Sequence, residues 1–127
     1  MMTKGRILYI EDNLESRILI RRVLEAEGYT VIEAENGLEG LNLAVTESPD
    51  LILMDINLPD IDGYECTARL REINSFRHVP IVALTANALS GDREKALDAG
   101  CDDYISKPVD IDRLPAQIAY HLNGGSG

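Results

Sequence analysis

Residues 51–63 read LILMDINLPDIDG. Four residues have the near-continuous apolar character of a strand covered on both faces, and then the run breaks on Asp55. Asn57, Pro59, Asp60, Asp62 and Gly63 follow at once, all residues that favour turns. A carboxylate at the end of a core strand stands charged beside a dry interior, so the fold must bring something to balance it.

Working outward, four more short β-prone segments recur: RILYI at 6–10, TVIEA at 30–34, IVALT at 81–85 and DYIS at 103–106. Helical periodicity fills the gaps. From Leu14 to Glu27 it puts Ile20, Val23 and Leu24 on one face, with Gly28 able to take the left-handed conformation past the end. Leu38, Leu41 and Val45 predict the apolar stripe of a second helix, which must stop before Pro49. Asp62 with Glu65 makes a capping-box pattern for a third, where Cys66, Leu70 and Ile73 follow at i, i+4 and i+7. Ser90 is placed to cap a fourth, with Asp92 and Glu94 near its positive end and Gly100 closing it. A fifth is expected from about Asp110 to Leu122, and Pro115, costly inside a helix but tolerated in a first turn, moves its expected start towards Asp112. Strands alternating with helices at this length predict an α/β fold with right-handed crossovers and a parallel sheet covered on both faces.

The 127 residues suffice for one domain. We read residues 1–123 as that domain and residues 124–127 as a native tail, a cut linker or a cloning scar. A formal net charge of −10 argues against binding phosphate backbones by bulk attraction, so direct contact with nucleic acid is not expected. No apolar run is long enough for a bilayer span and no secretory pattern opens the chain, which reads as cytoplasmic. Cys66 and Cys101 lack the spacing of a disulfide framework or zinc site and read as reduced core residues. His78 and His121 lack companions at metal or triad spacing and read as exposed loop or helix-end residues.

In open parallel sheets, ligands sit beyond the carboxyl ends of the strands. There the chain carries Glu11 and Asp12 after the first strand, Asp55 on the third, Thr85 on the fourth and Lys107-Pro108 after the fifth. Singly, each has an ordinary explanation: Asp12 with Asn13 would cap the first helix, and Thr85 is a common strand residue. Together they gather three carboxylates at one edge, where two unit charges ~4 Å apart repel by about 4 kcal/mol at an effective dielectric of 20. Capping does not require that cost. A hard divalent cation held by oxygen ligands removes it, and magnesium suits an open site that also receives a phosphate.

At this point Glu11-Asp12-Asn13, DINLPDIDG (55–63), ALTANA (83–88) and YISKP (104–108) resemble the receiver domain of bacterial response regulators, in the order that family has them. The resemblance runs from Arg6 to about Leu122. It implies a flavodoxin-like, doubly wound sheet of five strands in order 2-1-3-4-5 with five helices. It further implies that Asp55 is the phosphoacceptor, taking a phosphoryl group from a phosphohistidine on a histidine kinase or histidine phosphotransfer protein. Asp12 and Asp55 would bind Mg2+ directly, Glu11 through water, and Asn57 through its backbone carbonyl. Lys107 would pair with Asp55 before transfer and with a phosphoryl oxygen afterwards, and Ala86 would leave room beside it. Thr85 and Tyr104 would form a switch pair, Pro59, Gly63 and Pro108 would shape the site, and Asn57 and Asn87 would tune the phosphoryl lifetime. Such a chain is not a turnover enzyme, although it promotes its own phosphorylation and dephosphorylation. Its output partner would dock on the face of the fourth helix, fifth strand and fifth helix, where Pro115 departs from the family's pattern.

Two other function classes compete. A phosphatase of the haloacid dehalogenase type also uses a strand-end aspartate and magnesium, but has its nucleophile on the first strand and an acid two residues later, where this chain has Asn57. A flavodoxin-like cofactor binder needs a phosphate cradle, and the first βα loop, EDNLES, is acidic and lacks glycine. Within the family, the chain is either a stand-alone receiver or one excised from a hybrid histidine kinase or a larger regulator.

Overall fold

A computed structural model describes residues 3–86 and 91–124. Five parallel strands, β1 (Arg6–Ile10), β2 (Thr30–Ala34), β3 (Leu51–Asp55), β4 (Ile81–Thr85) and β5 (Asp103–Ser106), form one sheet in the order β2-β1-β3-β4-β5. Between and after them lie α1 (Leu14–Ala26), α2 (Gly37–Glu47), α3 (Gly63–Arg71), α4 (Asp92–Ala99) and α5 (Leu114–Leu122), with a short 3-10 turn at Asn74–Phe76. The strand bounds are those read from the sequence. Asn87 and Ser90 lie outside the described residues, and with them the lifetime and capping roles assigned above. Among the described residues Gly91 occupies the position before α4.

Alternation along the strands divides the core in two. Leu8, Ile10, Ile52, Met54, Ile81 and Ala83 face Ala44 of α2, Cys66 and Leu70 of α3 and Ala96 of α4. Ile7, Tyr9, Leu51, Leu53, Val82 and Leu84 face Ile20 and Leu24 of α1 and Leu114 and Ile118 of α5. Every residue of β3 and β4 is buried, as expected of strands covered on both sides. Cys66 and Cys101 are free, buried thiols, and burial pushes the Cys66 thiol up to about 12. Both are packing residues.

The local signals for helix ends hold in part. Gly28 (φ 99°) and Gly100 (φ 112°) take left-handed backbone after α1 and α4. Asp62 accepts a hydrogen bond from the Glu65 amide at 2.8 Å, while the Glu65 carboxylate turns to Arg69 (3.2 Å) instead of completing the box. Pro115 falls in the first turn of α5, which begins at Leu114, later than the periodicity suggested; the Arg113 and Leu114 amides donate to the Asp110 carbonyl across the preceding turn.

Two expectations need correction. Of the stripe Leu38, Leu41, Val45 only Leu41 packs against the core: Leu38 is 54% and Val45 57% exposed, and Gly37, Gly40 and Ala44 face inward. The helix lies so close to the sheet that a Cβ at Gly40 would collide with the Ile10 side chain. Small residues are what that contact admits, and they carry little hydrophobic signal. His121 is not exposed either. It is buried, with Nε2 2.9 Å from the Asp103 carboxylate, so the last turn of α5 is tied to β5.

Gly63 fixes the turn after β3 to the strand it leaves. Its amide donates to the Ile56 carbonyl at 2.9 Å, and a Cβ there would stand 2.5 Å from the Asp55 carbonyl oxygen and 2.8 Å from Ile56 Cα, backbone atoms that have no room to yield. Gly63→Ala should therefore lower unfolding free energy by roughly 1–3 kcal/mol, read as a lower urea midpoint at unchanged slope, and should disturb the Asp55 amide in NMR spectra. An unchanged midpoint would show that the turn relaxes freely.

Candidate functional site

The strand order puts β1 and β3 side by side, so Glu11, one residue beyond β1, and Asp55, the last residue of β3, meet at the sheet edge. Each is only 1% exposed. Asp12, beside them, is exposed, and Glu11, Asp12 and Asp55 each bring a carboxylate oxygen within 4.8 Å of the others. Lys107 reaches over from the end of β5 and places Nζ 3.0 Å from Glu11 Oε1 and 3.0 Å from Asp55 Oδ1. The balancing charge that Asp55 requires is thus partly supplied by the chain. One ammonium against three carboxylates leaves an excess of negative charge.

Each buried carboxylate is held by specific donors. Glu11 accepts from the Tyr9 hydroxyl (3.4 Å) and the Asn13 amide (3.3 Å). Asp55 Oδ1 accepts from the Asn57 amide (3.2 Å) as well as from Lys107, while Oδ2 accepts no hydrogen bond among the described residues. Burial pulls the Lys107 ammonium towards a lower pKa, but its hydrogen bonds to Glu11 and Asp55 outweigh this and leave it above the usual lysine range. Burial, reinforced by the charge on Glu11, pushes the Tyr9 phenol well above its ordinary value, so it remains a donor.

The other acids of the turn are spoken for. Asp60 accepts from the Gly37 and Leu38 amides, both at 2.8 Å, at the start of α2; its slight burial works against ionisation, but these bonds hold its carboxyl below the usual range. Asp62 caps α3. At the start of α1 the cap is Asn13, whose Oδ1 accepts from the Ser16 amide at 2.8 Å, so capping does not account for Asp12. Exposed Pro59 and Pro108 flank the site, and the Lys107-Pro108 peptide is cis. Ala86 is exposed beside the end of β4. Thr85 is buried and donates from Oγ1 to Asp92 Oδ2 at 2.6 Å. Tyr104 is half-buried under the Arg93 guanidinium, 5.8 Å from the ring centre.

Arg17 is a site residue that the sequence reading missed. It is buried, donates from Nη1 to the Glu11 carbonyl at 2.7 Å, and pairs with Glu33 (3.5 Å) and Glu35 (3.3 Å) of and after β2. It holds the backbone between Ile10 and Asp12 in place. The available signal was an arginine three residues before Ile20 and seven before Leu24, on the inward stripe of α1.

The model of the response regulator receiver domain family matches residues 7–119. The chain is similar to the polar-differentiation response regulator DivK of Brucella anthropi, with 44% identity over 91% of this chain and 94% of that one. A putative response regulator from Chloroflexus aurantiacus superposes with a TM-score of 0.90 at 29% identity, covering 94% of this chain and 98% of that one. The receiver domain of a sensor histidine kinase from Pseudomonas aeruginosa PAO1, whose crystal structure has a magnesium ion coordinated in the active-site cleft, gives a TM-score of 0.88 at 39% identity over 94% and 98%.

Two predictions follow from the charge arrangement. Asp12→Ala should weaken Mg2+ binding by on the order of ten-fold or more, read by calorimetry, yet leave the metal-free thermal midpoint unchanged or higher because a repelling charge is gone. Asn13→Ala should instead cost about 1 kcal/mol as a lost cap; a metal-free Asp12→Ala that melts as low would make Asp12 structural. The second concerns alkali. Because the Lys107 pKa is raised in the fold, its stabilisation is complete below the unfolded value of about 10.4 and is lost as pH rises through the higher folded one. The thermal midpoint of wild type should fall more between pH 9 and 11 than that of Lys107→Met, and parallel curves would refute the pairing.

Proposed function

The chain belongs to the response regulator receiver domain family, a signalling module of two-component systems, and on that premise we propose that it accepts a phosphoryl group on Asp55 from a phosphohistidine of a histidine kinase or histidine phosphotransfer protein. The observation that carries this reading is the unequal treatment of the two Asp55 oxygens: Oδ1 is held by Lys107 and the Asn57 amide, while Oδ2 is left without a donor among the described residues. A buried carboxylate that is fixed but not fully satisfied is a positioned nucleophile. In the transfer, an Asp55 oxygen forms a bond to phosphorus as the bond from phosphorus to the imidazole nitrogen breaks. The departing imidazole then takes up a proton. Negative charge spreads over the equatorial phosphoryl oxygens, and the Lys107 ammonium is positioned to oppose it.

The donor set fits a hard cation: Glu11, Asp12 and Asp55 offer only oxygen, and exposed Asp12 leaves one side open to water and to the incoming group. In this reading Asp12 and Asp55 would ligate Mg2+ directly, Glu11 through water and Asn57 through its backbone carbonyl. Bound Mg2+ supplies further positive charge for the phosphoryl oxygens. The Pseudomonas receiver with magnesium in its cleft supports the assignment by similarity.

Residues 1–123 form the receiver unit, and the unit promotes its own phosphorylation and dephosphorylation rather than turning over a separate substrate. Thr85 and Tyr104 report the phosphoryl group: the hydroxyl turns to it and the ring moves inward. Ala86 keeps space beside the group, and Pro59, Gly63 and Pro108 shape the loops around it. The output partner is a protein docking on α4, β5 and α5. Pro115 sits in the first turn, where α5 tolerates it, so the helix presents its length to that face. Nucleic acid is not a direct partner, in keeping with the net charge of −10. Among the described residues no helix is long and apolar enough to cross a membrane.

Treated with acetyl phosphate and Mg2+, the protein should gain one phosphoryl group by intact mass, and EDTA should prevent it. Asp55→Asn should abolish the gain while keeping a folded circular dichroism spectrum. Undiminished phosphorylation of the variant would overturn the assignment.

A further inference from the structure

The first turn of α4 contacts both residues of the switch pair. Thr85 Oγ1 donates to Asp92 Oδ2 at 2.6 Å, the short distance of a charge-assisted bond. The next residue, Arg93, lies over the Tyr104 ring at 5.8 Å. Across from them, Tyr64 of α3 buries its hydroxyl without a hydrogen-bond partner among the described residues. Burial first, and the neighbouring Asp92 second, push this phenol up to about 12, so it keeps its proton and stays an unused donor. The Asp92 carboxyl is held below the usual range by the Thr85 hydroxyl and, to a lesser degree, by the Tyr64 hydroxyl, which approaches it but falls short of hydrogen-bond geometry. Two donors converge on one carboxylate, and only one of them is satisfied.

Resting on the switch reading above, we propose that Asp92 is an exchange latch: its carboxylate accepts from Thr85 while Asp55 is unphosphorylated, and accepts from Tyr64 once Thr85 turns to the phosphoryl group. The resting state keeps the short Thr85 bond and bears an unpaired buried donor. The phosphorylated state gives up that bond and satisfies Tyr64. The two arrangements are opposed and discrete, as a two-state element requires. Because Arg93 follows Asp92 in the same turn, a shift of the carboxylate towards Tyr64 also moves the cation off the Tyr104 ring, which frees that ring to turn inward.

The exchange predicts a pattern of coupling that simple packing does not. Tyr64→Phe removes the unpaired donor from the resting state and the new bond from the active one. It should raise the thermal midpoint of the unphosphorylated protein yet weaken binding of the phosphoryl mimic beryllofluoride, with Mg2+ present, by about five-fold. In an Asp92→Ala background the same change should alter that affinity by less than about two-fold, because no acceptor is left to exchange. Asp92→Asn, which keeps the shape and removes the charge, repeats the cycle if the alanine variant loses α4. With tyrosine labelled at 13Cζ, the Tyr64 resonance should move on beryllofluoride binding in wild type and stay in Asp92→Ala. A Tyr64 resonance that stays while Thr85 and Tyr104 respond, or equal weakening by Tyr64→Phe in both backgrounds, overturns the latch and leaves the switch standing. No response of Thr85 or Tyr104 in wild type overturns the switch reading and the latch with it.

Discussion

The Lys107 ammonium, 3.0 Å from a carboxylate oxygen on each of Glu11 and Asp55, is the contact on which the rest of this site depends. Two carboxylates with 1% exposure cannot remain charged at a sheet edge without opposite charge and hydrogen-bond donors. The strand order decides where that charge comes from. β5 lies two strands from β3, about 10 Å at the usual inter-strand spacing, so the cation must arrive on a long, flexible stem that passes the end of β4. Lysine has that reach, and Thr85 closes β4, the strand between them.

At both ends of the sheet the chain assigns polar groups of its turns to structural tasks. Asn13, Asp60 and Asp62 close the starts of α1, α2 and α3. Arg17 clamps the Glu11 carbonyl, Arg71 bridges the Gly100, Phe76 and Val79 carbonyls and Asp102, and His121 binds Asp103. Within the strand-end cluster, among the described residues, Asp12, exposed and not a cap, and one oxygen of Asp55 are given no such task. Those are the groups with free coordination, which is where chemistry has room to occur.

Much of this was legible beforehand. All five strands and the strand-end set Glu11, Asp12, Asp55, Thr85 and Lys107 could be read from the residues, because a two-sided strand leaves an unbroken apolar run and a charge at its end stands out. The inward face of α2 could not be read, since Gly37, Gly40 and Ala44 pack by being small rather than by being apolar. Arg17 and His121 stand on the inward stripes of α1 and α5, but the carboxylates they pair with lie far along the chain, so spacing could suggest their burial and not their partners. The Thr85, Asp92 and Tyr64 triangle joins β4, α4 and α3, and exists only once the helices are packed. Local pattern finds elements and strand ends, while contacts between elements wait for the fold.

In the proposed function Asp55, and no other acid of the cluster, carries the phosphoryl group. Reduction of the phosphorylated protein with borohydride converts an aspartyl phosphate to homoserine, and peptide mass spectrometry then locates it. Homoserine is expected at position 55 alone. Homoserine at position 12 or 60, or a phosphoryl group recovered on a histidine, serine or threonine, would contradict it.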